Sequence, residues 1–451
     1  MGGKPWPVWP WPWKACRCAV TEHLPGRFTG PLTGPLTGRL LVVGAGPAGI
    51  AAAVSAAKAG MAVTLVDAQP EPGGQIWRGQ WDAPVYPAAR SWFAALRQSG
   101  VRLQMSQRVV TAPAPGWLGV TGPAGAAQLG YDRLVLATGA RDRFLPFPGW
   151  TLPGVCGAGG LQALEKGGLD VRGKRIVLGG SGPLLLAVAT HLRRRGARVL
   201  AVAEQAPTAS LPGLLPGLLR HPGLLLQGLS ALGLPLRPDT WVTRAEGDGQ
   251  LRIVHLQTPR GPVALEADLL GVGYGLVPDL ELPGLLGCAA TSDGVVVDEG
   301  QRTSVAGVFA AGEPTGIGGV DKALAEGRVA GLWAAGREAE ARLLGAEVRK
   351  GRAWAAALAS TFALRPELRR IATPDTLLCR CEDVSVGDLQ SFASGREARL
   401  HGRCGMGRCQ GRTCGPATEF LFGWRPGGPR QPLAPTTFAD LVGLLSPPEP
   451  P

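Results

Sequence analysis

The junction between Leu40-Leu41-Val42-Val43 and Gly44-Ala45-Gly46-Pro47-Ala48-Gly49 constrains this 451-residue chain more than any other feature. A continuous apolar run is what a parallel strand buried on both faces requires. Gly44 permits the tight turn that follows, Gly46 lets the backbone approach a pyrophosphate, and Gly49 allows close packing of helix on strand. Pro47 and Ala48 open an Ala-rich helix reaching about Ala59. Its unpaired N–H groups and positive dipole end suit a phosphate. A second strand, Ala62 to Val66, ends on Asp67, 18 residues past Gly49, where a carboxylate can accept from ribose hydroxyls. Strand, turn, helix, strand and acid in this order predict a dinucleotide-binding fold that starts near Arg39.

The pattern recurs. A strand over Arg175–Leu178 leads into Gly179-Gly180-Ser181-Gly182-Pro183-Leu184-Leu185, then a helix to about Arg195 and a strand from Val199 to Ala203 ending on Glu204. Leu185 stands where the third glycine belongs, so helix and strand cannot approach as closely. Gly180, Gly182 and Glu204 are the candidate contacts of a second nucleotide. That fold holds NAD(P) or another nucleotide, or it is retained as structure alone.

Composition narrows the setting. Gly (68) and Pro (41) are abundant, so the chain is folded but rich in loops, and 45% hydrophobic residues exclude wholesale disorder. A net charge of +12 would admit an acidic partner, but only 18% of residues are charged and the arginines are scattered, which argues against nucleic acid. Residues 1–14 alternate Trp and Pro without a signal-peptide core, and 30–38 repeat Gly-Pro-Leu-Thr, so 1–38 are expected to form a disordered extension. The Leu-rich stretch 211–236 is broken by Pro212, Pro216, Arg220, His221 and Pro222, which rules out a spanning helix there. Peripheral membrane contact stays open.

Further marks carry a resemblance. Ala137-Thr138-Gly139 follows the strand Leu134-Val135-Leu136, and Thr303 to Glu313 (TSVAGVFAAGE) reads as a strand ending on Gly312-Glu313. With two dinucleotide folds in series, these resemble the two-domain flavoprotein reductases of the thioredoxin reductase and ferredoxin reductase families. The resemblance implies FAD in the first fold, with Glu313 on its ribityl chain. A helix from about Val320 to Ala335 would aim its N-terminal dipole at the flavin's pyrimidine ring. Thioredoxin reductases carry a CxxC in the second domain; here that region has Cys156 alone, so dithiol chemistry is not expected. Cys156 and Cys288 read as buried small apolar residues.

Five of the nine cysteines lie between 379 and 414. Cys379-Arg380-Cys381 is followed by Cys404-Gly405-Met406-Gly407-Arg408-Cys409-Gln410-Gly411-Arg412-Thr413-Cys414. Thiolates at this density are soft ligands for zinc or an iron–sulfur cluster, and CxC is less typical of structural zinc. GMGRCQGRTCG resembles the small helical [2Fe–2S] domains related to bacterioferritin-associated ferredoxin. The resemblance implies Cys379, Cys381, Cys409 and Cys414 as ligands; a second set has Cys404 in place of Cys414, since both make a Cx4C with Cys409.

Taken together with Pro72-Gly73-Gly74-Gln75-Ile76 and Leu145-Pro146-Phe147-Pro148-Gly149-Trp150, these motifs resemble the FAD/[2Fe–2S] subunit of heteromeric dehydrogenases acting on C–N bonds. That family comprises opine oxidase, D-hydroxyproline and L-proline dehydrogenases and hydrogen cyanide synthase. The resemblance covers about residues 39–425, and adds Gly73, Gly74, Gln75, Ala137, Thr138 and Gly139 to the flavin contacts. The expected fold is α/β: two Rossmann-like domains plus a small helical cluster domain. The first FAD segment spans 39–149, the second dinucleotide-like domain 150–268 and the returning FAD segment 269–337. A helical connection (338–373), the cluster domain (374–425) and a Pro-rich tail (426–451) complete the chain.

Function follows from the same resemblance. Substrate is oxidised on a sister flavoprotein, and this chain relays electrons through FAD and [2Fe–2S]. A small ferredoxin-like subunit is a further candidate partner, and the cytoplasm is the expected compartment. No nucleophile–base pair or HExxH assigns a catalytic residue. Residues 337–430 hold 16 Lys and Arg against 10 Asp and Glu, an excess that would steer an acidic redox partner. Two alternatives stay open: a self-sufficient NAD(P)H-dependent reductase, and a nucleotide-binding scaffold.

Overall fold

The structure is a computed structural model describing residues 38–220, 233–425 and 427–445. Residues 1–37, including Cys16 and Cys18, lie outside that description, as does most of the expected extension.

Two parallel five-stranded sheets organise the chain. The first has the strand order Val308–Ala310, Arg133–Leu136, Arg39–Val43, Ala62–Val66, Arg102–Gln104. The second repeats that pattern with Leu236–Arg237, Arg198–Glu204, Arg175–Ser181, Leu269–Tyr274 and Val155–Gly157. Each βαβ unit places a helix, Pro47–Lys58 or Pro183–Arg194, directly after the glycine turn. Both glycine turns therefore lie at the carboxyl ends of the strands, where open α/β sheets form their crevices.

Each fold also carries a three-stranded antiparallel meander, at 108–130 and 241–266. The first fold is discontinuous, but its return starts later than the expected residue 269, because Leu269–Tyr274 pairs between Arg175–Ser181 and Val155–Gly157 in the second sheet. Its fifth strand returns at Val308–Ala310, after the second fold, and leads into the helix Gly319–Ala334. The expected connection consists of helices Glu338–Leu343 and Gly345–Thr361 and a short 3-10 turn at Pro366–Arg370. Among the described residues no helix is long and apolar enough to cross a membrane.

The Pro-rich tail folds back. Leu433 N–H donates to Val110 O at 2.8 Å, and Leu444 of the helix Phe438–Leu445 packs with Val110 and Ala434 on the first meander.

What binds the first fold's two ends together is contact between helix backbones. A Cβ at Gly327 would fall 2.2 Å from Ala48 O, and one at Gly331 2.3 Å from Ala52 O. Only glycine lets Gly319–Ala334 lie this close to Pro47–Lys58. Gly331→Ala tests this, because alanine normally gains about 1 kcal/mol over glycine inside a helix. Against backbone, the added methyl should instead cost about 1–3 kcal/mol by overpacking. A lower melting temperature is expected; a higher one would contradict the packing argument.

Candidate functional site

The first glycine turn is as tight as its sequence demands. Gly44 has φ 104°, and a Cβ there would lie 2.1 Å from Ala137 O; one at Gly49 would lie 1.7 Å from Gly44 O. No side chain caps the helix that Pro47 opens, so its first N–H groups face outward for a phosphate. Asp67 sits at the rim, its Oδ2 accepting from Ala45 N–H at 2.6 Å and its Oδ1 from Gln69 N–H at 2.7 Å. The segment holding Gly73, Gly74 and exposed Gln75 folds over the turn: Gly73 N–H donates to Ala45 O at 2.8 Å, and a Cβ on Gly74 would meet Gly46 Cα at 2.9 Å.

The second motif converges on the same turn. A Cβ on Gly312 would press on Ala48 Cβ at 2.7 Å, and Ala137 N–H donates to Val43 O at 2.8 Å. Thr138 Oγ1 donates to Asp279 O at 3.0 Å, while Gly139 (φ 78°) has open space where a Cβ would project. The Glu313 carboxylate accepts from Gly318 N–H (3.3 Å) and Gly319 N–H (2.8 Å), at the start of the helix Gly319–Ala334. Burial pushes this carboxyl upward in spite of those donors.

Sequence reasoning missed the pair beneath this motif. Lys322 and Glu326 are 2% and 0% exposed, and their charges meet at 2.8 Å. Lys322 Nζ also donates to Gly312 O and Thr315 Oγ1, both at 2.9 Å, while Glu326 accepts from Gly312 N–H at 2.9 Å. Both main-chain groups of Gly312 are thus fixed by one buried ion pair. Lys and Glu four residues apart are the usual pattern of an exposed helix face. The open, glycine-lined cradle and uncapped helix fit the pyrophosphate and flavin of FAD.

The second turn keeps the geometry with a different rim. Gly180 (φ 143°) would place a Cβ 1.9 Å from Gly273 O, Gly182 has φ 101°, and Leu185 is buried in the fold's own core. Glu204 accepts from Gly182 N–H at 2.7 Å and Ala206 N–H at 2.9 Å. The connecting segment is tied to this rim. Ser181 Oγ donates to Phe362 O at 3.2 Å, and Gln205 bonds Ala363 O (3.1 Å) and Arg365 N–H (3.1 Å).

All five late cysteines meet in one place. Cys379 ends the strand Leu377–Cys379, and Cys414 opens the helix Cys414–Phe422. The Sγ atoms of Cys379, Cys404 and Cys414 lie within 4.8 Å of one another, all buried; exposed Cys381 and half-buried Cys409 pair beside them. A Cβ on Gly407 would fall 2.3 Å from Cys381 Cβ, so glycine is what lets the loop reach Cys381. Donation from Cys404 and Cys414 pushes Cys379 down, and donation from Cys414 pushes Cys409 down. Cys404 and Cys414, as the proton donors to Cys379, are pushed up. Five soft sulfur donors gathered at a glycine-rich loop fit an iron–sulfur cluster. Cys156 and Cys288 are thiols raised by burial and stand apart; Cys288 is buried as expected, while Cys156 is only half-buried against the second fold's core.

One ionic clamp joins this loop to the flavin fold. Arg412, between Cys409 and Cys414, donates to Glu281 from Nε at 3.1 Å and Nη2 at 2.5 Å, and Arg141 Nη1 donates to the other oxygen of Glu281 at 2.8 Å. Arg141 lies two residues past Gly139. The cysteine-rich segment also leans on the second fold: Ala417 and Phe420 share its core, and Trp150 Nε1 donates to Leu377 O at 2.6 Å.

Residues 38–327 match the pyridine nucleotide-disulphide oxidoreductase model, which is over half of the chain. The chain belongs to that family. It is an FAD-dependent oxidoreductase. An opine oxidase subunit of Rhizobium meliloti (strain 1021) is 33% identical over 90% of this chain and 99% of its own length. The HcnB subunit of hydrogen cyanide synthase from Pseudomonas aeruginosa is also 33% identical, over 90% and 98%. In fold, the chain is similar to L-proline dehydrogenase from P. horikoshii, with a TM-score of 0.65 at 18% identity over 90% of this chain and 79% of that one. Thioredoxin reductase of T. acidophilum gives 0.52 at 20% identity, over 66% and 98%.

Glu204 of this family member offers a pH test. Burial raises its carboxyl to about 6, above an ordinary value of 4.5, although backbone N–H groups oppose the shift. The folded state therefore binds the proton more tightly than the unfolded state, and stability falls as pH rises from about 4.5 to about 6. The loss is about 2 kcal/mol at neutral pH. Glu204→Gln should flatten that decline in melting temperature; an unchanged pH profile would contradict the assignment.

Proposed function

We propose that this chain is the FAD- and [2Fe–2S]-carrying subunit of a heteromeric dehydrogenase that oxidises an amine or amino acid at a C–N bond. The observation that carries the reading is the thiol loop clamped by Arg412 and Glu281 to the flavin fold, in a chain aligned along nearly its whole length with HcnB and with the opine oxidase subunit. The partner is a sister flavoprotein that binds the substrate. A ferredoxin-like subunit is a further candidate, and the cytoplasm is the compartment.

FAD supplies two-electron redox chemistry when bound, and a [2Fe–2S] centre passes electrons singly. The chain's own residues do the rest. Gly44, Gly46, Pro47, Ala48 and Gly49 hold the pyrophosphate on main-chain N–H groups, and Asp67 takes the adenosine ribose. Gly73, Gly74 and Gln75 cover the turn, Ala137, Thr138, Gly139 and Gly312 contact the cofactor, and Glu313 binds the ribityl chain at the flavin end. The dipole of the helix Gly319–Ala334 favours negative charge at that end. Cys379, Cys381, Cys409 and Cys414 ligate the cluster.

The second fold keeps Gly180, Gly182 and Glu204, which favours a second reading as an NAD(P)H-dependent reductase. One anaerobic experiment separates the two. The chain is co-expressed with a candidate oxidase-like flavoprotein partner, and the resulting sample is mixed with proline, hydroxyproline, glycine or an opine, or with NADH or NADPH. The proposal expects an amino acid to bleach the flavin and reduce the iron centre, with the nicotinamides inert. Rapid bleaching of the isolated chain by NADH or NADPH, with no amino acid active on the complex, would overturn it.

A further inference from the structure

Four thiolates complete a [2Fe–2S] centre, yet this site contains five. Cys404, Cys409 and Cys414 are spaced as two successive Cx4C units, so Cys404 and Cys414 stand five residues to either side of Cys409. In space they lie together: the Sγ atoms of Cys379, Cys404 and Cys414 are mutually within 4.8 Å. Two sulfurs on one tetrahedral metal, each about 2.3 Å from it, are separated by about 3.8 Å, so any two of these three are near one-metal spacing. Cys404 is 5% exposed and Cys414 3%, and neither faces solvent as Cys381 does.

The backbone around Cys404 belongs to the same cradle. Cys404 N–H donates to Ala398 O at 3.1 Å, at the end of the helix Gly395–Leu400, and the next residue, Gly405, points its N–H at Cys379 Sγ from 3.5 Å. A Cβ on Gly405 would lie 3.8 Å from Cys414 Sγ and 3.7 Å from Arg399 Nε, so a guanidinium stands beside the buried sulfurs. Packing alone does not call for this arrangement. Cys288, which does serve as a small apolar residue, has Thr303 rather than another thiol beside its sulfur.

We propose that Cys404 is a reserve ligand: Cys404 and Cys414 are interchangeable occupants of the fourth coordination position, with Cys379, Cys381 and Cys409 common to both arrangements. This rests on the [2Fe–2S] reading above. In the exchange, the Cys404 S–H gives up its proton as its bond to iron forms, and the departing Cys414 thiolate takes one up. Charge and redox state are unchanged, and no oxidant is involved. A cluster that loses one ligand is thereby recaptured before it dissociates.

Iron, acid-labile sulfide and flavin are measured on the full chain as wild type, Cys404→Ala, Cys414→Ala, the double variant and Cys381→Ala. The wild type and both single variants should hold about two irons per chain, with the visible absorption of Cys414→Ala shifted by its changed ligand. The double variant and Cys381→Ala should lose iron and keep flavin. A flavin-loaded Cys414→Ala as empty of iron as the double variant overturns the proposal. A wild type without iron and sulfide overturns the cluster reading itself. If Cys414→Ala loses its flavin too, Cys404→Ala decides by the rate at which an iron chelator bleaches it. Several-fold faster release than in the wild type supports the reserve role, and an equal rate overturns it.

Discussion

Backbone contact between the helices Pro47–Lys58 and Gly319–Ala334 is the constraint on which the flavin site depends. The two flavin motifs are far apart in sequence, separated by the whole second fold. They share one crevice because Gly327 and Gly331 let one helix rest on the carbonyls of Ala48 and Ala52. Gly312 then lies on Ala48, and the buried Lys322–Glu326 pair fixes both of its main-chain groups. A buried pair of this kind is weak evidence of stability, since desolvation offsets much of its attraction. Its geometry serves position: the turn that carries Glu313 has little freedom to move.

The same logic extends outward to the thiols. Glu281 lies between Arg141, just past the Ala137-Thr138-Gly139 motif, and Arg412 in the cysteine loop. The flavin fold therefore grips the loop from within the cysteine spacing. On the other side, the second fold shares its apolar core with Leu368 of the connection and with Ala417 and Phe420 of the cysteine-rich segment. That fold acts as a mount for the cysteine-rich segment.

Much of this is legible in the sequence where the signal is local. Turn glycines, strand-end acids and Cx4C spacing are fixed by a few neighbouring residues, so Gly44, Asp67, Gly180, Glu204 and the cysteines are found by counting. Long-range geometry is not. Arg412 and Glu281 are 131 positions apart, and neither has a pattern that announces the other. Lys322 and Glu326 look like a solvent-facing pair because burial cannot be read from spacing alone. Spacing leaves Cys404 and Cys414 open as rival ligands, and folding brings both to Cys379. The Pro-rich tail shows only its composition, which hides the apolar face that Leu433, Ala434 and Leu444 present to the first meander.

The central claim is that one chain carries both a flavin and a binuclear iron centre. Cofactor stoichiometry of the full chain, purified without oxygen, tests it most directly. The account expects one FAD, about two irons and about two acid-labile sulfides per chain. One FAD with zinc, or with no metal on the five thiols, would contradict it.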